Sequence, residues 1–382
     1  MSLPRTLEFG PAERALRAEI RGWLPAHLPA QPLPEDYYER IRALRDWQAS
    51  LARAGFMGLS WPEKYGGRGL GIAAEAVLAA ELARAGAPEL INRVALYTIG
   101  PSLLDWGTPD QLSRFLHGML GAAELWCQGL SEPGAGSDLA GLTTLARVDG
   151  DRLIVHGQKV WTSLADVAVW CVALVRTDPS QTRHRGLTFL IIPMDAAGIT
   201  TRPLLEINHE PHFCEVFFDD VVVPLENVVG KLHEGWPVAM SMLGYERGLF
   251  ALERLIRLQS RLGRLVDQLS ATDGDGVDQE AIGRLDAQLA ILEAQVYQSL
   301  AAQAAGSLVA GQTAVDKLLL ANADQELFAR SLDLLGTTTA LEANEWTTGL
   351  LTSRSASIYG GTSEIQRNVI ARQLLKLPGG SR

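Results

Sequence analysis

Apolar residues recur every three to four positions in the first third of the chain, in AERALRAEIRGWL, DYYERIRALRDWQASLARAG and IAAEAVLAAELARAG, each closing near a glycine. That spacing predicts amphipathic helices from Pro11 to about Ala123. The texture changes near Leu125. ARVDGDRLIVHGQKVWTS sets an Asp149-Gly150 turn between extended runs, and VAVWCVALVRT, GLTFLIIPMD and FCEVFFDDVVVP are rich in β-branched and aromatic residues. These predict an all-β domain, barrel- or sandwich-like, that ends around Val229-Gly230. From Gly235 the helical period returns in WPVAMSMLGYERGLFALERLIRLQSRLGRLVDQL, EAIGRLDAQLAILEAQVYQSLAAQAAG and TAVDKLLLANADQELFARSLDLLG, whose wide apolar faces suit a bundle or oligomer contacts. The expected domains are helical over 1–123, β over 124–233 and a helical bundle over 234–382.

Charge and cysteine usage narrow the function classes. Among 382 residues, 34 basic and 44 acidic side chains give a net charge of -10, and no run of Lys or Arg offers a phosphate-backbone track. Nucleic acid is not expected as a partner. Cys127, Cys171 and Cys214 lie far apart in apolar surroundings, which reads as reduced thiols with neither a disulfide framework nor a metal set. The N-terminal segment has no signal-peptide pattern, and no stretch approaches the ~20 apolar residues of a membrane span. The expected location is the cytoplasm.

Five segments carry candidate chemistry. Trp61–Gly71 is Gly-rich but lacks a preceding strand, so it reads as a loop between helices. In QGLSEPGAGSD (128–138), Gly134 and Gly136 let the backbone turn so that N–H groups face one concavity, and Ser131 and Ser137 add hydroxyls; a plain loop explains the same residues. Trp161-Thr162-Ser163 sets a flat ring beside two hydroxyls, suited to a planar cofactor, though a Trp filling the β core is the commoner fate of such a residue. In SIYGGTSEIQRN (357–368), Ser363 and Gln366 match a capping box, and Gly360-Gly361 lead into a helix N-terminus that favours phosphate or electron-rich oxygens. Glu246 is the most informative single residue. Its neighbours three and four positions away, Met242, Leu243, Leu249 and Phe250, are all apolar. A carboxylate on such a stripe has a raised pKa when buried, which suits a general base. Glu253, by contrast, has Arg257 at i+4 and reads as a solvated pair. Arg247 could hold a ligand oxygen or neutralise an acid, and His209 and His212 read as a solvated loop rather than a metal pair.

QGLSEPGAGSDLAG, KVWTS, the acid–Arg pair of GYERG, and SIYGGTSEIQRNVIARQLLKLP resemble, in order and spacing, the acyl-CoA dehydrogenase family of flavoproteins; WPEKYGGRGLG and FFDDVVVPLENVVG fit it as well. The likeness covers essentially the whole chain and implies an N-terminal helical domain, a central β domain and a C-terminal four-helix bundle. It implies FAD contacts from Gln128, Leu130, Ser131, Gly136, Ser137, Trp161, Thr162, Ser163, Thr362 and Glu364. Substrate contacts would come from Ser137, Arg247 and Gly360. The implied reaction removes the α-proton of an acyl thioester, on CoA or a carrier protein, while hydride passes from the β-carbon to flavin N5; electrons would leave to an electron-transferring flavoprotein. Many members carry the catalytic Glu where this chain has Gly360, and a minority carry it at the position of Glu246. Asp333–Thr337 departs from the family's Gln-x-x-Gly-Gly pattern, and no Arg-x-x-Phe-Gly is found. A homotetramer or homodimer is the default expectation, with a heteromer open. A non-catalytic partner subunit and a flavin oxidase or monooxygenase are the alternatives.

Overall fold

The structure, a computed structural model, describes residues 10–245, 247–271, 278–308, 310–341 and 343–378. Helices α1 (Pro11–Trp23), α2 (Tyr37–Arg53), α3 (Ile72–Arg84), α4 (Gly100–Trp106) and α5 (Pro109–Leu120) occupy the first helical segment. Their starts are written in the sequence. Asp36 accepts from Glu39 N at 2.9 Å to cap α2, and Thr108 caps α5 in a capping box with Gln111, Pro109 following. The Gly-rich 61–71 segment is a loop with a single 3-10 turn at Glu63–Tyr65.

Strands β1 (Trp126–Gly129), β2 (Leu145–Asp149), β3 (Arg152–Ser163), β4 (Trp170–Arg176), β5 (Leu187–Pro193), β6 (Ile199–Leu204), β7 (Phe213–Pro224) and β8 (Val228–Val229) follow. They form one sheet in the order β6-β7-β3-β2-β4-β5-β8, with β1 laid parallel on β4. The Asp149-Gly150 turn makes the β2–β3 hairpin, Asp149 pairing with Arg152 and Gly150 at φ 64°. A buried cluster including Leu153, Val155, Leu190, Val216 and Val223 holds the sheet. It also contains Cys127, Cys171 and Cys214, all free thiols.

The helices then resume as α6 (Gly235–Tyr245), α7 (Arg247–Ala271), α8 (Gln279–Ala304), α9 (Ala310–Leu335), α10 (Thr337–Leu341), α11 (Glu345–Ser353) and α12 (Ser363–Val369). Packing groups the chain into two compact units. One joins Met1–Leu28, Leu70–Pro88 and Arg247–Arg382; the other joins Pro29–Gly69 and Glu89–Glu246. In the first, α7, α8 and α9 pack on one another, α3 packs on α7, and α1 on α3. Buried Glu81 of α3 gathers Arg17, Arg21 and Arg84 at 3.2, 2.6 and 2.9 Å. In the second, α5 is tied to the sheet edge through Gln111 Nε2, which donates to Glu226 O and Val228 O at 2.7 and 2.8 Å.

Two local expectations are corrected. Glu253 and Arg257 do pair, at 2.8 Å, but the carboxylate is buried rather than solvated, and Arg257 also donates to Ala87 O at 2.9 Å. The α12 cap is Thr362, not Ser363: Thr362 Oγ1 accepts from Ile365 N at 3.3 Å. Gln366 serves a different purpose. It is fully buried, and its Nε2 turns back to Gly360 O and Gly361 O at 2.9 and 3.2 Å. The two glycines, at φ 62° and 95°, leave carbonyls that need this donor.

Candidate active site

The C-terminal end of β3 decides the geometry here. Strict alternation from Gly157 and Lys159 would turn Trp161 to their face of the sheet. A register shift against β7 between Lys159 and Thr162 breaks that alternation, and Trp161 takes up φ 60°. Because a one-residue slip exchanges the faces, Thr162 is fully buried while Trp161 is 60% exposed. The ring is therefore not a core-filling indole. It stands edge-on to Phe213 with centroids 6.0 Å apart.

The exit of β1 lies alongside. Val160 N donates to Ser131 O at 2.9 Å, and Lys159 Nζ to Leu130 O at 3.1 Å. The start of β1 is fixed by a buried amide relay: Gln48 Oε1 accepts from Asn92 N at 3.0 Å, and Asn92 Oδ1 from Trp126 N at 3.1 Å. Two atoms of this floor, Gln128 Oε1 and Thr162 Oγ1, are buried without a hydrogen-bond partner among the described residues. Leaving such an atom unpaired costs about 1–3 kcal/mol, which a ligand offering partners recovers. A planar heteroaromatic ring that packs on Trp161 and hydrogen-bonds at its edge fits the set.

Under the floor sits an ion pair that the sequence reading did not identify. Lys159 is fully buried, and its Nζ donates to Glu132 Oε1 at 2.8 Å and to Leu174 O at 2.7 Å besides Leu130 O. Glu132 Oε2 accepts from Thr143 N and Oγ1 at 2.6 and 2.8 Å, and Oε1 also from Thr144 N at 2.9 Å. Burial pushes the Glu132 carboxyl up, but the Lys159 charge and these donors outweigh it and hold it at about 2. Burial in turn lowers the Lys159 ammonium against the pull of Glu132. β3 also carries Arg152, His156 and Gln158, so Lys159 does not stand out along the sequence.

The remaining candidates separate. Glu132 and Ala135 exchange backbone hydrogen bonds at 3.0 Å. Gly134 and Gly136 are not in the left-handed region, so the expected use of their backbone freedom is not seen; open space lies where a Cβ would be. Gly136 and Ser137 are exposed, and Ser163 is half-buried. Thr362, Glu364 and Gly360 belong to the other unit. There Glu364 is exposed with Arg367 at 3.7 Å, and Gln366 Oε1 is a further buried atom without a partner among the described residues. Glu246 lies outside the described residues, as does the side chain of Arg247. Before Glu246, Met242 is fully buried, and Tyr245 Oη donates to Asp105 Oδ2 at 2.8 Å. His209 is exposed, but His212 is not the solvated residue expected: burial, helped by Arg93, pushes its imidazole down to about 4.

The acyl-CoA dehydrogenase N-terminal, middle and C-terminal domain models match residues 10–122, 127–221 and 233–375 in turn. The chain belongs to the acyl-CoA dehydrogenase family. It is thus an oxidoreductase with the three-domain fold of that family, whose members are FAD-dependent flavoproteins. The acyl-CoA dehydrogenase IpdE1 of Mycobacterium tuberculosis is 40% identical over 375 residues, covering 95% of this chain and 97% of its own. A solved structure described as the Tcur3481-Tcur3483 steroid ACAD superimposes with a TM-score of 0.87 at 26% identity, over the full length of both chains. The ChsE4-ChsE5 complex from Mycobacterium tuberculosis gives 0.85 at 27%, over 98% of this chain and 100% of that one. No described helix is long and apolar enough to cross a membrane.

Proposed function

We propose that this acyl-CoA dehydrogenase performs FAD-dependent α,β-dehydrogenation of an acyl-CoA thioester, with Glu246 as the base. The observation that carries the reading is that Gln128 Oε1 on β1 and Thr162 Oγ1 on β3 are buried without a partner among the described residues, while the ring of Trp161, next to Thr162 in the chain, is exposed. When bound, FAD supplies the two-electron acceptor that takes the β-hydride at N5. Trp161 would pack on its isoalloxazine ring, the Thr162 hydroxyl would donate to the ring's edge, and Gln128, Leu130 and Ser131 would line it, with Gly136, Ser137 and Ser163 at its margin. Thr362 and Glu364 enter through their motif at the start of α12. Thr362 Oγ1 already accepts from Ile365 N, so it has its O–H to offer.

Glu246 takes the α-proton. What supports the role is the sequence: the residues three and four positions to either side are apolar, and a carboxylate buried on such a stripe is a stronger base. Gly360 N–H and Arg247 polarise or hold the thioester and its CoA portion, with Ser137 at the acyl-CoA side. Electrons leave to an electron-transferring flavoprotein in the cytoplasm. A homotetramer or homodimer is the simplest assembly. A mixed assembly is the second reading, favoured by the two-component titles of two similar structures and by the departure at Asp333–Thr337.

The test is anaerobic titration of the FAD-loaded protein with straight-chain, branched and steroid-derived acyl-CoA thioesters, the last because two similar structures are described as a steroid ACAD. Flavin bleaching is expected with at least one thioester, and Glu246→Gln should keep FAD yet bleach roughly 100- to 10,000-fold more slowly. No bleaching by any thioester, alone or with a co-expressed family member, sinks the reaction. Bleaching by Glu246→Gln at the wild-type rate sinks the base.

A further inference from the structure

We infer that Lys159 and Glu132 are positioning residues: a buried ionic clamp that sets the direction of the flavin-facing backbone at Leu130–Ser131 and Val160–Thr162. The inference rests on the FAD reading above and adds to it a role for two residues that touch no ligand in that reading.

The argument begins with saturation. An ammonium has three protons, and Lys159 Nζ spends them on Leu130 O, Leu174 O and Glu132 Oε1, at 3.1, 2.7 and 2.8 Å. The three acceptors lie on two stretches of chain: Leu130 and Glu132 where the chain leaves β1, and Leu174 within β4. Glu132 is equally committed, to Thr143 and Thr144 at the entry of β2. One buried pair therefore ties three stretches, 130–132, 143–144 and Leu174 of β4, to β3 at a point three residues before Thr162.

Alternative explanations of the pair account for less. Buried ion pairs are weak evidence for stability, because well-packed apolar side chains of similar volume often serve as well. Such replacements could fill the space, but they could not hold Leu130 O by a charged donor. Leu130 is followed at once by Ser131, whose carbonyl accepts from Val160 N at 2.9 Å, so a shift at Leu130 passes directly to the β3 end. There is also little room for slack: a Cβ at Gly129 would stand 3.2 Å from Lys159 Cγ and 3.1 Å from Cys171 Sγ. The clamp thus separates two properties. Folding needs the volume, and the flavin floor needs the charge.

The full chain is prepared as wild type, Lys159→Met, Glu132→Gln and the double variant Lys159→Met/Glu132→Leu. FAD dissociation constants, visible circular dichroism of the flavin and thermal midpoints are measured for each. The double variant, with no charge left unpaired, should recover part of the thermal midpoint lost by Lys159→Met, the backbone groups that the pair bonded remaining unpaired. It should still bind FAD at least about tenfold more weakly, with altered flavin dichroism. Glu132→Gln keeps an oxygen for Lys159 and guards against failure of the double variant to fold; it should weaken FAD about three- to tenfold. Wild-type affinity and dichroism in the double variant, or in Glu132→Gln where the double variant does not fold, would overturn the clamp and leave the FAD reading standing. A wild-type protein that binds no FAD overturns the cofactor reading, and the clamp with it.

Discussion

Glu132 in the sheet unit and Asp316 of α9 in the helical unit are both buried acids, yet their surroundings push them in opposite directions. Glu132 is 5% exposed, faces Lys159, accepts from Thr143 and Thr144, and is held at about 2. Asp316 is fully buried. Its Oδ1 accepts from Gln295 Nε2 and Ser299 Oγ, both at 2.9 Å, while Oδ2 has no partner among the described residues. Burial dominates there and pushes the carboxyl up to about 6. The adjacent Lys317 is engaged elsewhere, donating to Ala356 O and standing over the Tyr359 ring at 5.0 Å. Depth does not distinguish the two acids. A cation and a full set of donors do, as the balance of desolvation against charge and hydrogen bonding requires.

The largest break in that comparison is Lys159→Met, which strips Glu132 of its cation. Removing one partner of a buried pair costs about 3–5 kcal/mol, read as a shift of the urea midpoint at pH 7.5. The pH dependence should also change sign. In the wild type the folded-state pKa of Glu132 is depressed, so its stabilisation is present above about 4.5 and is lost as pH falls toward 2. Without Lys159 the carboxyl rises as Asp316's does, and stability then declines as pH rises through the weakly acidic range. A loss under about 1 kcal/mol, or an unchanged pH profile, would remove the cation from its place in the explanation.

Asp316→Asn probes the other side. Here the folded-state pKa is raised from 3.8 to about 6, so the folded state favours the protonated acid and stability is lost as pH rises through that window. Asn removes the titration but leaves an amide N–H₂ where Oδ2 has no partner. Its stability relative to wild type should therefore improve by about 2 kcal/mol between pH 4 and pH 7, whatever the offset at either end. Parallel urea midpoints for the two proteins across that window would contradict the assignment.

Much of this arrangement could be read from the sequence, and the unread parts share a cause. Local signals settled the helices, the Asp149-Gly150 hairpin and the helix start after Gly361, because spacing and turn chemistry act within a few residues. Four motifs in register pointed to the family. The bulge between Lys159 and Thr162 was illegible, because it is set by pairing with β7, some fifty residues away, and it alone turns Trp161 outward. The Lys159–Glu132 pair was missed for the same reason: each residue is unremarkable until β1, β3 and β4 are assembled. Thr362, not Ser363, caps α12, and Gln366 turns to the carbonyls of Gly360 and Gly361 rather than closing a capping box. Asp316, unlike Glu246, does not sit on an apolar stripe: Leu319 and Leu320 lie on one side but Gln312 and Thr313 on the other.

The smallest effect is expected where an ion pair has neither burial nor a shared network. Arg152 Nη2 lies 3.0 Å from Asp149 Oδ2 across the β2–β3 hairpin, with side chains 52% and 43% exposed. Water screens such a pair, and ordering two side chains offsets much of what attraction remains, so Arg152→Ala should cost about 0.5 kcal/mol or less. Arg152 is the residue to change, because Asp149 also precedes the glycine of the turn and its loss would mix turn chemistry with charge. Whatever difference exists should vanish near 1 M salt, where the screening length falls to about 3 Å. A loss above about 1 kcal/mol that survives high salt would mean that exposure does not sort the ion pairs of this protein, and the contrast between Glu132 and Asp316 would then need a cause other than their surroundings.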